Sequence, residues 1–174
     1  MSTLNMRVLG IDCGTQFTGY GVVETDAAGR LRAVTSGAIR LSKRDSLPQR
    51  LCTVFTELTT LMIRHAPNVV AIEEVFHSVN SRTALLLGQV RGVALLAAAT
   101  NNLEIAEYAP LSVKSAVSGY GMADKQQVQF MVMRLLELTE APEPLDASDA
   151  LAIAICHMHH AQTVAAQERG PQGR

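Results

Sequence analysis

The chain has 174 residues, 48% of them apolar, and a formal net charge of −1. That length suits one domain around a single core, the apolar share excludes a disordered chain, and the near-neutral charge provides no global attraction to a polyanion. Cys13, Cys52 and Cys156 are odd in number and lack metal-ligand spacing, which points to reduced thiols. Residues 1–7 show no basic segment leading into an apolar one. The most apolar stretch, residues 84–99, is interrupted by Gln89 and Arg91 and is shorter than a bilayer crossing requires. The expectation is a cytoplasmic protein with no membrane segment.

In chain order, residues 6–12 form an apolar run that ends in Asp12-Cys13-Gly14-Thr15, and residues 19–24 resume an extended pattern. Asp26 to Gly29 supply a turn, and residues 31–40 alternate as a third strand, so the opening is an antiparallel meander. Arg40, Lys43, Arg44 and Arg50 then cluster in what reads as a solvated loop. From Pro48 the apolar period lengthens, with Leu51, Val54, Phe55, Leu58, Leu61 and Met62 at helical spacing until Pro67. Residues 69–76 are a strand covered on both faces.

Residues 81–99 make a helix that is apolar nearly all round and reads as buried, with Gly88, Gly92 and Ala99 on one face for a close backbone approach within the fold or across a dimer. A fifth strand over 104–108 follows, then helices over 112–118, 125–138 and 146–162, with Gly119-Tyr120-Gly121, Pro142 and Pro144 as breaks. Residues 163–174 are expected to be a disordered tail. The fold class is α/β, one domain over 1–162, with a mixed five-stranded sheet (three antiparallel strands, then parallel ones) flanked by helices.

Asp12 and Glu73 each close an apolar strand. If those strands are neighbours, both carboxylates emerge at the sheet edge where α/β proteins place ligands. Asp146 and Asp149 lie three apart at the start of the last helix, on one face of one turn. Hard divalent cations prefer oxygen ligands, and two-metal phosphodiester hydrolysis needs carboxylates to hold two ions about 3.5–4 Å apart. Blander readings exist: Asp12 as a turn residue, Asp146 as an N-cap, and Asp149 as a first-turn acid favoured by the helix dipole. Glu73 is harder to place so, since an acid after Val-Val-Ala-Ile sits poorly in a buried strand. His157 stands eight residues beyond Asp149, about 12 Å along a helix, too far to share an ion with it. It reads with His159 and His160 as a surface or core-edge group.

Four blocks in order carry a resemblance. They are Gly10-Ile11-Asp12-Cys13-Gly14-Thr15 with Thr18-Gly19-Tyr20-Gly21-Val22; Ala71-Ile72-Glu73-Glu74-Val75-Phe76 with Gly88-Gln89-Val90-Arg91-Gly92; Lys114, Gly119, Gly121 and Lys125 with Val128-Gln129; and Asp146-Ala147-Ser148-Asp149-Ala150-Leu151-Ala152. From Met6 to His160 the chain resembles the RuvC family of crossover (Holliday) junction endodeoxyribonucleases.

The resemblance implies a ribonuclease H-like fold and symmetric nicking of four-way DNA junctions in recombination and repair. It implies Asp12, Glu73, Asp146 and Asp149 as catalytic, metal-binding acids for two Mg2+ per subunit, with Mn2+ as a substitute. Lys125 is implied as a catalytic residue lying with Lys114 along the scissile phosphate, Phe76 as a stacking partner for junction bases, and Asn80 and Arg91 as further DNA contacts. It also implies a homodimer joined largely through the helix over 81–99, and a branch-migration helicase as partner.

Outside the resemblance, Phe76 reads as a core phenylalanine and the two lysines as solvated. Cys13 stands where a proline is common in the family, and Val79 and Leu86 where lysines occur, which bears on DNA contact rather than chemistry. The alternatives are a ribonuclease H-like nuclease acting on structured RNA in ribosomal RNA processing, and a catalytically silent DNA-binding dimer. Kinase-like phosphotransferases, which share a similar Asp-x-Gly-Thr hairpin, duplicate the fold and need a second phosphate loop for which this chain has no room.

Overall fold

A computed structural model of the chain describes residues 6–74 and 81–168. The elements run β1 (Arg7–Asp12), β2 (Phe17–Thr25), β3 (Leu31–Arg40), α1 (Leu47–His65), β4 (Val69–Glu73), α2 (Ser81–Thr100), β5 (Glu104–Tyr108), α3 (Pro110–Ser118), α4 (Lys125–Leu135) and α5 (Leu145–Glu168). They build one five-stranded sheet in the order β3-β2-β1-β4-β5. The first three strands pair antiparallel, and β4 and β5 add in parallel. This is the mixed sheet that the alternation patterns imply.

The period of two along each strand sorts side chains into two cores. Leu9, Ile11, Val22, Val70 and Ile72 face α1 and α2. Val8, Val23, Val69 and Ala71 face the layer formed by α3, α4 and α5. On that second face the sheet carries a floor of glycines, in which Gly10 is paired with Gly21, and Gly19 with Asp12. A Cβ on Gly10 would overlap the Ala150 carbonyl oxygen, one on Gly19 the Asp146 carbonyl oxygen, and one on Gly21 the Leu151 side chain at 2.8 Å. Here α5 meets the strands almost backbone to backbone.

Several boundaries depart from the pattern reading. The last helix continues through Glu168 rather than stopping near Gln162, because Ala165, Ala166 and Gln167 are good helix formers. So 163–168 are helical, and 169–174 lie outside the described residues. β4 stops at Glu73, short of the expected end at Phe76, and Phe76 itself falls outside the described residues.

The helix read as buried, α2, runs 20 residues and is long and apolar enough to cross a bilayer by length and composition. It packs instead on α1 and β5, burying Val90, Ala94, Ala97 and Ala98, while Leu85 and Leu96 remain 65% and 54% exposed. Only one face of it is in the core. An apolar helix records how much surface needs covering, not which neighbour covers it.

Because the contact beneath α5 is backbone against backbone, neither side can yield by rotating a side chain. Gly10→Ala and Gly19→Ala are each expected to lower stability by about 3 kcal/mol or more, about 6 °C or more in melting temperature for a chain of this size. Calorimetry showing either variant within 2 °C of the parent would contradict this account of the packing.

Candidate active site

Asp12 closes β1 and Glu73 closes β4, and these strands are adjacent, with Ile11 and Ile72 paired just before the two acids. Alternation places Asp12 on the face of Gly10, and Glu73 on the face of Ala71, which is the α5 side of the sheet. The helix arrives there with Asp146 in its first turn and Asp149 one turn later. Gly19, cross-strand partner of Asp12, lies directly under the Asp146 backbone. The glycine floor thus delivers two helix carboxylates onto the strand end that carries Asp12.

The electrostatics register this convergence. Burial pushes the Asp12 carboxyl up to about 7, and the charges of Asp149, Glu73 and Asp146 push it the same way. Glu73 is also raised, first by burial and then by Asp149, with Lys125 and Lys114 opposing. Lys125 Nζ stands 3.1 Å from Asp149 Oδ2, and this hydrogen bond raises the ammonium's own pKa. Lys125 is well exposed, so the pair is a modest source of stability. Four acids and two lysines therefore share one field at one rim of the sheet.

Among the described residues, no three Asp, Glu, His or Cys side chains are drawn tightly enough together to form a ready cation cage. The acids converge with Lys125 as their counter-charge. The donor set nevertheless fits a divalent cation. It is made of carboxylate oxygens alone, which hard ions such as magnesium or manganese prefer, and a carboxyl forced toward neutrality by burial and by three neighbouring acids is relieved by positive charge.

Arg91 is ion-paired with Glu107 on β5, and its Nε is buried without a partner. Glu107 pairs in register with Ile72, so this contact sits on the α2 side of the sheet, opposite the acids. Cys13 also packs on the α2 side, where burial pushes its thiol up to about 12. Leu86 lines a small apolar cavity with Leu47, Leu51 and Val90. Phe76, Val79 and Asn80 lie outside the described residues. His157 is buried and 2.8 Å from the Tyr108 hydroxyl, and His159 Nδ1 is 2.9 Å from the Ala116 carbonyl oxygen. Both are core-edge groups, as their spacing from the acids suggested.

Pattern reading missed the glycine floor. Its signal was present as Gly10, Gly19 and Gly21 inside strands, where glycine marks the close approach of another backbone.

The family model described as "Crossover junction endodeoxyribonuclease RuvC" matches residues 8–157. A protein of that name from Acidobacterium capsulatum is 60% identical over 169 residues, covering 94% of this chain and 99% of the relative. Another from Koribacter versatilis is 57% identical over 159 residues, covering 91% and 96%. Among solved structures, Thermus thermophilus RuvC in complex with Holliday junction substrate superposes with a TM-score of 0.83 at 31% identity, covering 91% of this chain and 96% of that one. A yeast mitochondrial Holliday junction resolvase shares the fold alone, with a TM-score of 0.66 at 16% identity. With a model match over most of its length and relatives this similar end to end, the chain belongs to the RuvC family of crossover junction endodeoxyribonucleases.

Proposed function

We propose that this chain resolves four-way DNA junctions by nicking phosphodiester bonds at the rim formed by Asp12, Glu73, Asp146 and Asp149, in homologous recombination and repair. The supporting observation is that acids from three distant segments act on one another's ionisation at one sheet edge. Two magnesium ions, or manganese in their place, supply when bound the positive charge that activates an attacking water and steadies the leaving oxygen.

The chain's own groups do the positioning. Asp12 and Glu73 are fixed on adjacent strands, and Asp146 and Asp149 on a helix that cannot shift without riding over the glycines. Lys125 holds an ammonium against Asp149, and Lys114 lies within the field of Glu73. Both present positive charge to a phosphate approaching the acids. Phe76 and Asn80 are proposed DNA contacts on family grounds, with an aromatic stacking contribution of about 1–3 kcal/mol per base. Arg91, already committed to Glu107, is assigned to holding α2 against β5.

The family reading extends to assembly. Residues 1–162 act as one nuclease domain, and the exposed Leu85 and Leu96 give α2 an apolar face suited to a second copy of the chain. A homodimer would set two such rims on one junction. A branch-migration helicase as partner and a cytoplasmic location follow from the same kinship.

Synthetic four-way junctions, linear duplex and structured RNA, each incubated with and without Mg2+, test the reading. Junction-selective, Mg2+-dependent nicking is expected. Preference for structured RNA would favour the ribosomal RNA nuclease, and binding without cutting the silent dimer. Asp12→Asn and Glu73→Gln should each retain junction binding and lose about a hundredfold or more in cleavage rate, roughly 2.7 kcal/mol of transition-state stabilisation. Lys125→Ala should lose about tenfold in single-turnover rate, and an unchanged rate would return this lysine to the solvated surface.

Stability should report the same burial and crowding of the Asp12 carboxyl. The folded pKa of Asp12, about 7, lies above its ordinary 3.8, so the folded state binds that proton more tightly than the unfolded state does. Stability from this group is therefore full below about pH 4 and is lost as pH rises through 7. In chelator, Asp12→Asn should raise the melting temperature at pH 8 and much less at pH 5. Added Mg2+ or Mn2+ should stabilise the parent chain at pH 8 more than the variant. Equal gains at both pH values would remove the burial and like-charge explanation.

A further inference from the structure

A second feature occupies the rim that carries the acids. Asp12 ends β1, Phe17 begins the antiparallel β2, and Arg40 ends β3 in register with Phe17, so all three sit at one edge of the sheet. There Phe17, Arg40, Ser42, Lys43 and Arg44 line an open cavity of about 700 Å³. Arg40, Lys43 and Arg44 are exposed. Among the described residues, none of the three takes part in an ion pair, Asp45 beside them included.

The cavity wall is held in place. The Leu41 amide donates to the Gln16 carbonyl at 2.8 Å, the Arg44 amide to Ser42 Oγ at 3.1 Å, and the Asp45 amide to the Ser42 carbonyl at 3.2 Å. Leu41 is buried beneath, and a reciprocal capping box between Ser46 and Gln49 starts α1 immediately after. Three unneutralised cations are thus carried on a braced turn in a chain whose net charge is −1.

We propose that this pocket is a binding site for the phosphodiester backbone of the DNA strand being cut, on the arm that flanks the scissile bond. Neighbouring strands lie about 4.8 Å apart, so β3 is about 10 Å from the acids across the sheet. At about 3.4 Å of rise per nucleotide, that separation places the pocket about three nucleotides from the bond under attack. Arg40, Lys43 and Arg44 engage successive phosphates, and Phe17, 37% exposed, offers its ring to the sugar between them. The pocket sets how a junction arm leaves the cleavage rim.

This inference rests on junction cleavage as the activity, and its test separates the two. Binding of the full chain to a fluorescent four-way junction is measured between 50 and 200 mM salt for the parent, for the triple variant Arg40→Gln, Lys43→Gln, Arg44→Gln, and for a control, Arg32→Gln, Arg64→Gln, at the opposite edge. Each lost phosphate contact flattens the slope of log affinity against log salt by about 0.9. The triple variant is expected to flatten it by about 2–3 and to weaken binding at least tenfold at 100 mM salt. The control should keep the parent slope. A triple variant with the parent slope overturns the proposal, as does a control that flattens it equally. A parent chain that fails to cut junctions sinks the proposed function instead.

Discussion

The site depends on how close one helix lies to one sheet. Aspartate has a short side chain, and a helix held off a sheet by ordinary side chains would leave Asp146 and Asp149 well short of Asp12. Gly10, Gly19 and Gly21 remove that spacing from the strand side, and Ala150 and Ala154 keep it small on the helix side. The result is a contact in which main-chain atoms set the distance. Main chain cannot change rotamer, so the separation of the helix carboxylates from Asp12 is governed by the most rigid part of the molecule.

That closeness has an energetic cost. Burial and the repulsion among four carboxylates at one rim both disfavour an ionised Asp12, whose pKa is pushed up to about 7. What offsets the repulsion lies further along the same helix. From Ala150 to Met158 every residue of α5 is buried, with Leu151, Ile153, Ile155 and Met158 fully enclosed. At about 1.5–3 kcal/mol for each large apolar side chain, the middle of α5 anchors it far more strongly than its first turn resists. The helix macrodipole also favours an acid at Asp146, in that first turn. A chain can carry an unfavourable functional cluster when the element bearing it is pinned elsewhere.

The legibility of this molecule in its sequence follows from the same physics. Strand alternation and helical periodicity record which faces are buried, so all ten elements and the sheet's mixed character could be read in order. Glu73 stood out because an acid ending Val-Val-Ala-Ile has no apolar explanation. The glycine floor was harder to see, since a glycine in a strand could equally mark a bulge, and only the docked α5 shows why three are needed. Arg91 illustrates a different limit: a cation in a motif gives no sign of which way its helix turns it, and here it turns toward Glu107. The apolar circumference of α2 likewise could not separate a core face from one left for another chain.

Near-neutral net charge is the weakest guide of all for a chain of this kind. Exposed charges are screened beyond about 8–10 Å at ordinary ionic strength, so a strand of DNA at the rim responds to groups within that reach and scarcely to the total. Around Asp12 the described residues set out a pattern in space: acids on the α5 side, Lys114 and Lys125 beside them, and Arg40, Lys43 and Arg44 two strands away. Opposite signs cancel in the sum while remaining separate along the path a phosphate chain would follow. A polyanion can therefore be drawn to the flanks of a site whose centre, taken alone, would repel it.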